Sequence, residues 1–113
     1  MNRYKLSKAG VDVNQGLKRL NNDKEFYESL LEKFCKDTHY AELQEAFEQD
    51  DTEGAFQAAH ALKGAAGNLS FVRLYSVLAP MVEELRHHDL ESAKKALPEV
   101  TAAYEALMEV LKN

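Results

Sequence analysis

The chain has 113 residues, 45% of them hydrophobic, and a formal net charge of -5. That length makes one domain with a real core but little room to enclose a substrate, and no window approaches the ~18 consecutive apolar residues of a membrane span. The acid excess and the lack of any Lys/Arg-rich block argue against binding to nucleic acid, which needs a concentrated basic surface. Met1-Asn2-Arg3-Tyr4-Lys5 leads into no apolar signal-peptide core, so a soluble, cytoplasmic chain without membrane insertion is expected. The single cysteine, Cys35, can form neither an internal disulfide nor a multi-thiolate zinc site; beside Leu31 and Phe34 it reads as a buried, inert thiol.

Five glycines and two prolines, against abundant Ala, Leu, Glu and Lys, leave little of the Val/Ile/Thr enrichment or period-two alternation that strands need. The composition predicts an all-α domain. Residues 1–10 read as an N-terminal extension. Asp12 with Gln15, and Asn22 with Glu25, have the capping-box spacing and predict helix starts near residues 13 and 23. The first of these helices is short, because Gly16 and Asn21-Asn22-Asp23 leave only two turns carrying Val13, Leu17 and Leu20; it is expected to lie across one end of a bundle. From Lys24, the apolar residues Phe26, Tyr27, Leu30, Leu31, Phe34 and Cys35 recur at three- and four-residue steps. Tyr40, Leu43, Ala46 and Phe47 resume the pattern after Asp37-Thr38-His39, which fits one bent helix or two. Asp50-Asp51-Thr52 supplies the next cap, Ser70 is placed to cap a helix running to His87, and Asp89 a last helix running to Leu111. Four long segments with short links predict an antiparallel four-helix bundle with a short additional N-terminal helix. Pro80 and Pro98 fall inside the last two helices, where each removes a backbone donor and is expected to bend the axis.

The helix predicted after Asp51 contains Ala58-Ala59-His60-Ala61-Leu62-Lys63-Gly64-Ala65-Ala66-Gly67-Asn68-Leu69. On a helical wheel Ala55, Ala59, Leu62, Ala66 and Leu69 fall within one arc about 80° wide, which is the expected core face. His60 then lies roughly 150° from the centre of that arc, with Lys63, Gly64 and Gly67 on the same outward half. Each helical glycine costs about 1 kcal/mol relative to alanine, and two of them on an outward ridge suggest that bulk beyond the histidine would obstruct an approaching body. Close internal packing is the competing explanation of the glycines. Phe56, one turn before His60, can supply apolar contact to the ring or be an ordinary edge-of-core aromatic. Imidazole is commonly part neutral at cytoplasmic pH, so a ring nitrogen can act as nucleophile, and Lys63 one turn on can compensate an anion formed there. A phosphoryl group suits that combination.

These residues resemble the signature of the histidine phosphotransfer (HPt) domain family, in which a small-residue pair precedes a phosphorylatable histidine followed by x-Leu-Lys-Gly and further small residues. The lead-in Val11-Asp12-Val13-Asn14-Gln15-Gly16 through Phe34 is also similar, so the resemblance spans Val11 to Leu111 and implies a single HPt domain over 1–113 with its core at 11–111. It implies His60 as phosphoacceptor, Lys63 as the residue that stabilises phosphoryl charge, and Gly64 as the residue that gives access. Ser70 departs from the family, where glycine is frequent. The implied reaction is reversible transfer between a receiver-domain aspartate and His60. The implied partners are receiver domains of response regulators or hybrid sensor histidine kinases, with a magnesium ion on the receiver and no cofactor of the chain's own. Phe56, Gln57, Gly67 and Asn68 are the expected receiver-binding residues. The family includes freestanding proteins and domains of membrane-bound hybrid kinases.

No G-x-x-x-x-G-K-[ST] loop is present, so autophosphorylation from ATP is not expected and the chain reads as a relay intermediate rather than an enzyme. No Ser/His/Asp set or confined carboxylate pair indicates a hydrolase. His87 and His88 suit a helix C-terminus and His39 a bend, and no histidine has a second one at i+4 to share a metal. The alternative from another class is a helical adaptor that binds a receiver or a partner helix without being phosphorylated.

Overall fold

Residues 1–113, all of them described in the computed structural model, form seven helices, five of them begun by a side-chain cap. They are α1 (Arg3–Lys8), α2 (Val13–Arg19), α3 (Lys24–Phe34), α4 (His39–Glu48), α5 (Thr52–Asn68), α6 (Val72–Arg86) and α7 (Leu90–Leu111). Side chains of Asn2, Asp12, Asp23, Asp51 and Asp89 accept hydrogen bonds from free amides in the first turns of α1, α2, α3, α5 and α7. Such a cap is typically worth ~1 kcal/mol, and each fixes the phase at which its helix begins.

Two expected caps are displaced. Asn21 and Asn22 both adopt the left-handed conformation (φ 55° and 61°) that ends α2. Asn22 therefore cannot take the extended geometry of an N-cap, and Asp23 bonds the Phe26 amide at 3.0 Å instead. Ser70 likewise has φ 60° and is almost fully buried; Phe71 stands at the N-cap of α6, with no side-chain cap. The Ser70 hydroxyl donates to Gln15 Oε1 at 2.9 Å. The left-handed backbone explains why glycine would be at ease there, and the bond to Gln15 compensates the serine.

The long elements form the bundle. α5 packs between α4 and α6, and α6 packs on α7. The tight turns at 69–71 and 87–89 reverse the chain between successive helices. α3 and α4 are separate helices, broken at Cys35–Thr38, where Asp37 meets His39 Nδ1 at 2.9 Å. α3 reaches the core through its aromatics: Phe34 packs edge-on against Phe71 at 5.0 Å and tilts toward Tyr104 at 6.4 Å. Leu62, Leu74, Leu78, Met81, Leu85 and Leu107 fill the centre, each contributing about 1.5–3 kcal/mol on burial. α6 and α7 run on through Pro80 and Pro98. Cys35 is half-buried rather than buried, its Sγ lying 3.6 Å from the Leu31 carbonyl oxygen and 3.7 Å from that of Leu111.

The N-terminal residues are part of the core. Residues 1–10, read from sequence as an extension, form α1 with Leu6 and Ala9 buried, so two short helices precede the bundle. Gly10 closes α1 at φ 89°, and any Cβ there would collide with Arg73. The Arg73 amide donates to the Gly10 carbonyl at 3.1 Å, the Arg73 guanidinium donates to the Lys8 carbonyl at 2.8 Å, and the Asp12 amide donates to the Ser70 carbonyl at 2.9 Å. These bonds hold α1 and α2 against the α5–α6 turn.

Candidate functional site

The Gly54 amide donates to the Asp51 carboxylate at 2.9 Å, which fixes where α5 begins. Ala55, Ala59, Leu62 and Ala66 are wholly buried, Ala58 and Leu69 nearly so, and His60 is exposed, as the wheel predicts. Polar and aromatic residues from three helices border a cleft beside the imidazole. This cleft, of about 530 Å³, is lined by Lys63, Gly64, Gly67 and Asn68 of α5, Gln15 and Arg19 of α2, Ser70 of the α5–α6 turn, and Val72 and Tyr75 at the start of α6.

Phe56 lies parallel to the imidazole, with centroids 5.5 Å apart and planes 12° from parallel. The Arg86 guanidinium lies 5.1 Å from the Phe56 centroid, and its Nε donates to Glu83 at 2.8 Å. That hydrogen bond holds the Glu83 carboxyl below its ordinary range, with the charges of Arg86, His87 and Lys63 adding to it. Lys63 Nζ stands 5.5 Å from the centroid of Tyr75 and takes part in no ion pair.

The two ridge glycines have different surroundings. A Cβ on Gly64 would meet nothing within 4 Å. A Cβ on Gly67 would press on the Tyr75 ring at 3.2 Å and 3.4 Å. Gly64 therefore leaves the approach to the cleft open, whereas Gly67 lets the aromatic ring settle on α5. Internal packing, the competing explanation, accounts for one of the two.

Of the residues singled out by sequence, His60, Lys63, Gly64, Gly67 and Asn68 meet at this cleft, and Phe56 joins through its stack on His60. Gln57 does not. It donates to Glu53 at 3.0 Å and faces a separate polar groove with Glu42, Gln49 and Asp51. Gln15, Arg19, Val72, Tyr75 and Arg86 complete the surroundings without having been anticipated. Val72 and Tyr75 are large and 44% and 42% exposed, a departure from the apolar-inward rule that periodicity does not reveal. His39 and His87 have local partners, Asp37 and the Glu83 carbonyl, and no group of three His, Cys, Asp or Glu is gathered to hold a metal ion. No helix is long and apolar enough to cross a membrane.

An exposed imidazole with an unneutralised ammonium one turn away and open space beside both can exchange an anionic group with a docked macromolecule. Comparison with curated proteins and with solved structures gives no match. The family model described as Hpt domain matches residues 29–110, which include the second half of α3, α4 through α6 and all but the last residue of α7, leaving α1 and α2 outside. With that match over most of its length, the chain belongs to the Hpt domain family, whose members pass phosphoryl groups through histidine in two-component phosphorelays.

Proposed function

We propose that His60 is the phosphoacceptor and that the chain relays a phosphoryl group between receiver domains. The observation that carries this reading is the single exposed imidazole on α5 that borders an open cleft, with empty space at Gly64 and a free ammonium at Lys63. A ring nitrogen forms the N–P bond as the P–O bond to the receiver aspartate breaks and the aspartate departs as carboxylate; the return step reverses this. The receiver supplies the aspartyl phosphate together with its magnesium ion. Lys63 compensates charge on the transferring group, and Gly64 admits the receiver's bulk. Much of the acceleration then comes from holding the two reacting groups in line.

Phe56 supports the nucleophile by fixing the plane of the imidazole. Asn68, Gln15, Arg19 and the apolar rim of Val72 and Tyr75 form the receiver-facing border, while Gln57 belongs to the neighbouring groove.

The test is transfer of labelled phosphate from a panel of phosphorylated receivers to the parent protein and to His60→Gln, both checked for helicity by circular dichroism. Acid-labile label on the parent alone is the expected result. Equal label on both proteins would sink the assignment of His60, and receiver binding without label on either would favour the adaptor reading.

A further inference from the structure

Lys63 has a problem of charge that its surroundings solve in an unusual way. Glu83 on α6 is near enough for the Lys63 charge to act on its carboxyl, and a direct ion pair there would neutralise the ammonium. Glu83 is instead engaged by Arg86 at 2.8 Å, and Lys63 Nζ stands 5.5 Å from the Tyr75 ring centroid. An aromatic face attracts an ammonium through its quadrupole and leaves the positive charge intact. Tyr75 is itself placed by Gly67, whose missing side chain leaves room for the ring to lie on α5.

We infer that Tyr75 is the positioning residue for Lys63: it holds the ammonium beside the His60 cleft and away from Glu83, so that the charge is still available to an incoming phosphoryl group. This rests on the reading of His60 as phosphoacceptor. It also gives Gly67 a role distinct from that of Gly64, since Gly67 seats the ring that seats the lysine. The hydroxyl is not required, because the attraction comes from the ring face.

The experiment is a double-mutant cycle on transfer rate with Tyr75→Leu, Lys63→Gln and the double variant, together with Tyr75→Phe, using a receiver domain loaded by acetyl phosphate. Tyr75→Leu is expected to slow transfer about 2- to 5-fold, the range for a cation–π contact at an exposed site. Tyr75→Phe should restore the rate, and Tyr75→Leu should add nothing once Lys63 is glutamine. An equal loss in both lysine and glutamine backgrounds would overturn the inference. In the unaltered protein the Lys63 ε-methylene protons should show an upfield ring-current shift by NMR; random-coil values would overturn it without any variant having to fold. No label on the parent from any receiver, or equal label on His60→Gln, would remove the phosphoryl role of the pair along with the reading beneath it. The ring-current shift would then report the contact alone.

Discussion

The two faces of α5 are both built from small residues, for opposite reasons. On the inward face Ala55, Ala59 and Ala66 are wholly buried, and their size is set by how closely α4 and α6 must approach. On the outward face a Cβ added to Gly64 would meet nothing within 4 Å, so no internal contact requires it to be small. Gly67 stands between these cases: it lies on the outward side yet packs against Tyr75. Smallness in a helix can thus serve the fold, a docking partner or the placement of one side chain, and only the surroundings tell which.

Enlarging residues on the two faces should separate these purposes most clearly. Gly64→Leu is expected to leave the melting temperature at or above that of the parent while cutting transfer on the order of 100-fold, the scale of loss when reacting groups are held out of line. Ala59→Leu should do the converse, destabilising by about 1–3 kcal/mol through overpacking, read by denaturant titration. Gly64→Leu that unfolds the protein, or Ala59→Leu that melts normally, would erase the distinction.

A second contrast lies at the end of α5, where the buried Tyr27 hydroxyl donates to the Leu69 carbonyl at 2.7 Å. Tyr27→Phe removes that bond and should cost about 0.5–1.5 kcal/mol, without the transfer defect of an outward-face variant. Burial, with the charge of Asp12 adding, pushes the Tyr27 phenol up to about 12. An unfolded tyrosine ionises near ~10, so above that pH the unfolded chain releases a proton that the folded one keeps. Stability contributed by neutral Tyr27 is intact below about pH 10 and falls as pH rises toward 12. Melting curves across that window should show a shallower alkaline decline for Tyr27→Phe than for the parent.

The smallest effect compares the two glycines directly. Gly64→Ala should stabilise by about 1 kcal/mol, the helix-propensity difference, because its Cβ enters open space. Gly67→Ala should gain less, since the Tyr75 ring must give way at 3.2 Å. Equal gains in thermal unfolding would mean that the ring is not seated on Gly67.

Local physics made much of the molecule legible in advance. The caps at Asp12, Asp51 and Asp89 were readable because a carboxylate bonding an amide three residues on is a contact within one turn. The phase of α5, and with it the outward placement of His60, followed from the apolar repeat. Asn22 and Ser70 misled because a left-handed backbone is imposed by how neighbouring elements meet, and side-chain chemistry alone permits either conformation. The burial of Leu6 in α1 was equally hidden, since a six-residue helix has too few periods to announce a core face.

The sequence by itself determined an all-helical chain, the helix bearing His60 and the side of that helix on which the histidine stands, because periodicity and capping act between residues a few positions apart. Tertiary structure alone decided that Gln15 and Arg19 line the cleft and that Tyr75 rests on Gly67 beside Lys63. Those encounters join helices whose relative placement is fixed by packing of the whole core, and no local repeat encodes which exposed side chain will stand opposite another.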